Sequence, residues 1–180
     1  MIDEAPSSLK RILVLGCCGA GKSTFSKKLH QITGNEVIHL DQYYWQPDWR
    51  EIETGDWMDI VAKLASGDSW IIDGNYRSTL QLRLARADAV VYFDFPTWVC
   101  VWRITKRILK YYGKVRPDMP EGCKERFDRD FYHYVLTYNL RQRREMLDLL
   151  DQIAARKTVS IFRNDHDSER FLRSFGNVRL

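Results

Sequence analysis

The sequence predicts an α/β protein, a parallel sheet of five strands with helices on both faces. Two observations carry that prediction. Short apolar runs alternate with amphipathic segments from one end of the chain to the other. The first such run, Ile12-Leu13-Val14-Leu15, leads directly into GCCGAGKST, Gly16 to Thr24, a glycine-rich loop that opens a helix.

Strand one is expected at Arg11 to Leu15, a continuous apolar run suited to a sheet buried on both faces. The helix after the loop runs from Ser23 to Ile32 with Phe25, Leu29 and Ile32 on one face, and Gly34-Asn35 ends it. Val37 to Leu40 form the second strand, which ends at Asp41. The next stretch, YYWQPDWREIE, is polar and aromatic and reads as an insertion, part of an acceptor-side segment over 42–66, rather than a regular element. Thr54 starts a helix in which Trp57, Ile60, Val61 and Leu64 recur at helical spacing. After Gly67-Asp68, strand three covers Ser69 to Ile72 and ends at Asp73. Leu80 to Arg86 is a short basic helix, and Ala89 to Phe93 is strand four, closed by Pro96. Trp98 to Tyr112 is a helix, with Trp102, Ile108 and Leu109 among its apolar positions. Gly113 to Gly122 is a loop, and one long helix is expected from Cys123 or Lys124 to about Leu150, its stripe made by Phe127, Phe131, Tyr134, Val135 and Tyr138. Thr158 to Phe162 is strand five, and Asp167 to Phe175 the last helix.

At 180 residues the chain is sized for one domain, and 44% apolar with 29% charged residues is ordinary for a globular protein. No apolar run approaches the roughly 20 residues that a membrane span needs. The N-terminal MIDEAPSSLKR lacks the apolar core of a secretory signal and reads as a short frayed tail. Cys17, Cys18, Cys100 and Cys123 have neither metal spacing nor a disulfide pattern, so free thiols and a cytoplasmic setting are expected. The net charge of +4 is unevenly spread. RITKRILKYYGKVR, Arg103 to Arg116, holds six basic residues and no acid, the mark of a local anion site or a solvated face.

GCCGAGKS matches G-x-x-x-x-G-K-[ST] at every position, between a strand and a helix where that motif works. Gly16, Cys17, Cys18, Gly19, Ala20, Gly21, Lys22, Ser23 and Thr24 are therefore the expected cradle of a nucleoside triphosphate, ATP. The glycines let backbone N–H groups turn inward, and the helix beginning at Lys22 directs its positive dipole end at the phosphates. Lys22 reaches the β- and γ-phosphates, and the Ser23 hydroxyl ligates Mg²⁺. Asp73, ending a buried strand in WIIDGNYR, is placed to hold the same Mg²⁺ through water, although a turn-capping role before Gly74 competes. Cys17 and Cys18 either fill variable positions or present a thiol activated by the helix N-terminus.

With these residues in view, the chain resembles the adenylate-kinase-like nucleoside monophosphate kinases. Gly16, Gly19, Gly21 and Lys22 reproduce their loop. Asp73, Gly74 and Arg77 match their Asp-Gly-Phe-Pro-Arg motif, from which Asn75 and Tyr76 depart. ADAVVYFDFP resembles their fourth strand, followed by a helix whose two arginines, Arg103 and Arg107, stand at the base of a lid over 111–124. ERFDRD resembles the element beyond the lid, with Arg126 as the best match. The resemblance implies the strand order 2-3-1-4-5 and assigns these arginines to the transferring phosphates. A closer resemblance, over about Ile12 to Tyr138, is to the bacterial DNA topology modulation proteins. It rests on HLDQYYWQP from His39 to Pro47, WIIDGNY, and RPDMPEGCKERFD from Arg116 to Asp128. With a short aromatic segment after strand two an AMP acceptor is not implied, the lid has no four-ligand zinc set, and the acceptor stays open.

The expected function is an ATP- and Mg²⁺-dependent phosphotransferase, with a small-molecule acceptor between Asp41, the aromatic insertion and Arg77, outside the carboxyl ends of the strands. Asp41 is the candidate base, with capping of the turn into Gln42 as its alternative. The rival readings are an ATPase or nucleotide-binding regulator acting on DNA, and a nucleotide-dependent binding module without turnover. DNA is not favoured, because the basic residues gather at the phosphate site and no helix-turn-helix or zinc pattern is present.

Overall fold

The computed structural model describes residues 9–176, so residues 1–8 of the expected tail and the last four residues lie outside the described part, while Arg11 of that tail belongs to the first strand. In chain order the elements are β1 (Arg11–Gly16), α1 (Lys22–Thr33), β2 (Val37–His39), α2 (Asp41–Tyr44), β3 (Trp45–Gln46), β4 (Arg50–Glu51) and α3 (Thr54–Ala65). They continue with β5 (Trp70–Asp73), α4 (Leu80–Arg86), β6 (Ala89–Phe93), α5 (Thr97–Tyr111), α6 (Arg129–Tyr138), α7 (Arg144–Ile153), β7 (Thr158–Phe162) and α8 (Asp165–Gly176).

Five strands form one parallel sheet in the order β2-β5-β1-β6-β7, which is the expected 2-3-1-4-5 arrangement. Strand β1 is central, with Leu13 opposite Ile72 and Val14 opposite Asp73 on one side, and Gly16 opposite Phe93 on the other. Its alternating side chains supply two cores. Ile12 and Val14 pack with Phe25, Leu29, Phe93, Ile104 and Phe162 on one face. Leu13 and Leu15 pack with Trp57, Val61, Trp70 and Ile72 on the other. Burial on both faces is why β1 reads as an unbroken apolar run rather than an alternating one. The register also puts the ends of β1 and β5 side by side, which brings the glycine loop beside Asp73.

Three local expectations need correction. Asp41 does not end a strand. β2 stops at His39, and Asp41 opens the short helix α2, with Tyr44 N–H bonded back to the Leu40 carbonyl. The aromatic insertion is ordered as the antiparallel pair β3–β4, turned by Pro47–Trp49 with Asp48 at φ 63° and Trp49 at φ 61°. Trp45, Trp49 and Tyr44 stack edge to face within it, so aromatic contact replaces the missing alternation as the ordering force.

The long helix is also not continuous from 123. Lys124 and Glu125 are extended and bridge to Val115 and Tyr112, and α6 starts only at Arg129, where the Asp128 side chain accepts from Phe131 N–H at 2.9 Å. That N-cap bond is what sets the start. Asn139–Arg143 then form a π-helical turn between α6 and α7. The wider turn coincides with Arg143 reaching Asp94 at the end of β6, in a two-pronged bond of 2.6 and 2.8 Å.

Candidate active site

The loop from Gly16 to Thr24 wraps the end of β1 and the start of α1. Two of its glycines are dictated by close approach. At Gly16, φ is 132° and an added Cβ would lie 2.6 Å from the Phe93 carbonyl oxygen; at Gly19, φ is 81° and it would lie 2.5 Å from that of Cys100. Neither position accepts a side chain, and the backbone is pressed against β6 and α5. The Asn75 side chain braces the loop from the opposite side. Its Oδ1 accepts from Gly16 N–H at 3.0 Å, and its Nδ2 donates to the Gly16 carbonyl at 2.9 Å.

Lys22 folds over the loop and donates to the Cys17 carbonyl at 3.2 Å. Burial would lower its pKa, but the Cys18 thiol and the Asp73 carboxylate more than offset that and hold it above the ordinary lysine value. Cys17 is buried beside Cys100, and the thiol–thiol contact together with burial pushes the Cys17 thiol up. Half-buried Cys18 is likewise pushed up by burial.

Asp73 ends β5, is 5% exposed, and binds two groups through one oxygen. Ser23 Oγ donates to its Oδ2 at 2.6 Å, and His39 Nδ1 at 3.0 Å. Burial works against the charge, yet the His39 bond, Lys22 and Ser23 prevail and keep the carboxyl below its usual range. Asp41 is treated in the opposite sense. It accepts from the Tyr76 hydroxyl at 2.6 Å, but burial and the neighbouring Asp73 charge outweigh that bond and raise its pKa. Tyr76 adopts a φ of 24° to make the contact, and the buried Arg83 holds that turn by donating to the carbonyls of Gly74, Asn75 and Tyr76 at 2.7–2.8 Å. Among the described residues Arg83 has no acid partner, and burial lowers its pKa to about 10.

Among the expected arginines, Arg103 lies against the loop and Arg107 acts on it from a distance. Arg103 donates to the Ala20 carbonyl at 3.2 Å and to Asp165 at 2.5 Å. Arg107 holds Glu125 Oε1 at 2.9 and 3.1 Å and acts on the Cys18 thiol through space. Arg77 and Arg126 are not gathered in: Arg77 pairs with Glu145 at the surface, and Arg126 stands 57% exposed near Asp128. Sequence reasoning missed His39, Tyr76, Glu125 and Arg116 as site groups. Glu125 is 3% exposed and joins Arg107 to Arg116, whose Nε is 2.6 Å from Glu125 Oε2 and whose charge reaches Asp41. The signal for Arg116 was the acid-free basic run itself, and for His39 and Tyr76 their places two residues before Asp41 and three after Asp73.

No protein-family model matches the sequence, and no curated protein does. Solved structures do match. A shikimate kinase from Acinetobacter baumannii in complex with shikimate aligns at TM-score 0.56 and 15% identity, over 96% of this chain and 93% of that one. A gluconokinase from Sinorhizobium meliloti aligns at 0.52 and 16%, over 94% and 93%. An unliganded sugar kinase from a Janibacter species aligns at 0.50 and 17%, over 92% and 91%. At such identities the likeness concerns the fold, which is that of the P-loop kinases; the resemblance to topology modulation proteins continues to rest on its motifs alone.

Proposed function

We propose that this protein is an ATP- and Mg²⁺-dependent phosphotransferase of the nucleoside- and nucleotide-kinase-like class, acting on a hydroxyl of a small acceptor. The observation that carries the reading is a pair of carboxylates beside Lys22 whose surroundings push their pKa values in opposite directions. Asp73 is held as an anion, suited to a cation's shell; Asp41 is made more basic, suited to receiving a proton. A nucleotide-binding module has no need of the second group.

The residues fit both absent groups. Gly16, Gly19 and Gly21 all hold positive φ, the backbone shape that lets successive N–H groups line an anion nest. For Mg²⁺ the donors are hard oxygens, the Ser23 hydroxyl and Asp73 with Oδ1 left over by its two bonds. Among the described residues no three His, Cys, Asp or Glu side chains cluster as a cage, in keeping with a cation carried mainly by phosphates and water. When bound, Mg²⁺ supplies charge neutralisation on the β- and γ-phosphate oxygens. Lys22 steadies the same oxygens, and Arg107, oriented by Glu125, offers a guanidinium to the transferring group. Asp41 takes the acceptor's hydroxyl proton as that oxygen bonds to the γ-phosphorus and the bond to the departing ADP oxygen breaks. Tyr76 fixes the orientation of the base. Tyr44, Trp45 and Tyr76 form the acceptor's apolar wall.

The names of the structural neighbours, kinases for a sugar, shikimate and gluconate, support the reaction class. A DNA-acting ATPase gains no support from the site, whose cations Arg103 and Arg107 gather at the glycine loop and Glu125 rather than along an extended basic face. The test is a panel of small hydroxyl compounds with γ-labelled ATP. An acceptor that takes up label in the wild type, and fails to in Asp41→Asn, supports the reading; acceptor-independent ADP formation, unchanged in Asp41→Asn, overturns it.

A further inference from the structure

The function above uses Arg107 of the basic run but leaves its lysines and the outer face of α5 unexplained. Among the described residues ten large apolar side chains stand exposed, and seven of them lie between Trp98 and Leu140. Three are on α5 itself: Trp98 is 72% exposed, Trp102 59% and Leu109 76%. At about 100° per residue these three fall within about 40° of one another, a single stripe opposite the buried Cys100, Ile104 and Ile108. Lys106 and Lys110 follow on one flank of the stripe, and the Lys106 ammonium sits 5.6 Å from the centre of the Trp102 ring. Tyr112, 67% exposed, and the exposed Lys114 follow directly after the helix end. Tryptophan is rarely left in water, and an apolar stripe with a cationic border marks a surface that is covered in use.

We infer that this face of α5 docks the protein on an anionic lipid surface, with Trp98, Trp102 and Leu109 entering the headgroup boundary and Lys106, Lys110 and Lys114 meeting lipid phosphates. The composition selects this occupant. Indole and phenol rings settle at membrane interfaces, and lysine stems reach up from the apolar zone to the headgroups. Each lysine near an anionic surface adds favourable energy that salt removes. A second copy of the chain fits poorly, because α5 carries no acid to meet the Lys106 and Lys110 of the other copy. Single-stranded nucleic acid also fits poorly, since Leu109 gives no stacking surface and the face is a convex helix rather than a groove. Docking here differs from spanning: no helix among the described residues is long and apolar enough to cross a membrane. The inference stands independently of the phosphotransferase reading.

The experiment is flotation of the full chain with phosphatidylcholine vesicles, with and without phosphatidylserine, at low and high salt. Expected is binding to the serine-containing vesicles at low salt, weakened at least about tenfold by Trp98→Ser with Trp102→Ser and again by Lys106→Glu with Lys110→Glu. ATP titration and thermal unfolding of each variant verify the fold. Should the tryptophan pair fail to fold, the lysine pair, both of whose side chains are exposed, carries the test alone. Wild-type protein that stays with neither vesicle overturns the inference, as does binding that both variant pairs retain. A dimer in solution broken by the tryptophan variant, or capture of oligo(dT) lost in it, assigns the face to those partners instead and overturns it equally.

Discussion

Asn75 is the most informative side chain to remove, because it holds Gly16 through both backbone groups at once. Gly16 is buried with Phe93 behind it, so it has no room to retreat toward another partner. In Asn75→Ala both its N–H and its carbonyl lose the side chain that bonds them. An abandoned buried polar group costs about 1–3 kcal/mol. Asn75 is itself only half-buried and water can re-enter, so the lower part of the range applies, about 2–3 kcal/mol for the two groups together. For a chain of this size that is a fall in Tm of roughly 4–12 °C. Asn75→Asp separates the two bonds: the carboxylate still accepts from Gly16 N–H but faces the Gly16 carbonyl without a proton to give. It also brings negative charge to a phosphate cradle, so ATP affinity should fall further in Asp than in Ala. The assay is urea unfolding with matched m-values, followed by ATP titration of each variant. An Asn75→Ala protein with wild-type midpoint and wild-type ATP affinity would refute the bracing of the loop from β5.

Other outcomes follow from the same site. Lys22→Ala should lose most triphosphate affinity or turnover, measured by ATP titration and label transfer, because it removes the cation over the loop. Arg107→Ala should reduce turnover far more than ATP binding, and equal losses would mean that it serves ground-state binding only. Asp41→Asn should lower acceptor-dependent turnover by roughly a hundredfold or more with ATP affinity kept. The same variant should be more stable than wild type at neutral pH without Mg²⁺. A carboxyl whose folded pKa is raised binds its proton more tightly in the folded state, so its contribution is lost as pH rises from the ordinary 3.8 through the folded value. Thermal unfolding across that range should show this component in wild type and not in Asp41→Asn.

The five principal strands and the loop were legible because their signals are local: an apolar run of sheet length, and glycines whose spacing allows one backbone shape. Asp73 could be found in the same way, from its place at a strand end. The misreadings arose where order comes from across the chain. Nothing local says that Lys124 and Glu125 pair with Val115 and Tyr112, so helical spacing carried the expected helix back over them. Nor does local sequence say that Arg77 turns to Glu145, 68 residues on, while Arg116 joins Glu125 near Asp41. One arginine in a basic run looks like any other; its partner gives it a role.

The β3–β4 hairpin carries a consequence through its contacts with the segment after α5. Trp49 Nε1 donates to the Lys124 carbonyl at 2.9 Å, the Cys123 thiol to the Gln46 carbonyl at 3.2 Å, and a Cβ on Gly122 would lie 2.8 Å from that of Pro47. Lys124 adjoins Glu125, which holds both Arg107 and Arg116. Anything that lifts the hairpin therefore tugs on the residue next to the carboxylate that aims the two guanidiniums. The aromatic hairpin and the two guanidiniums are therefore one mechanical unit, joined through these three contacts and a single peptide link.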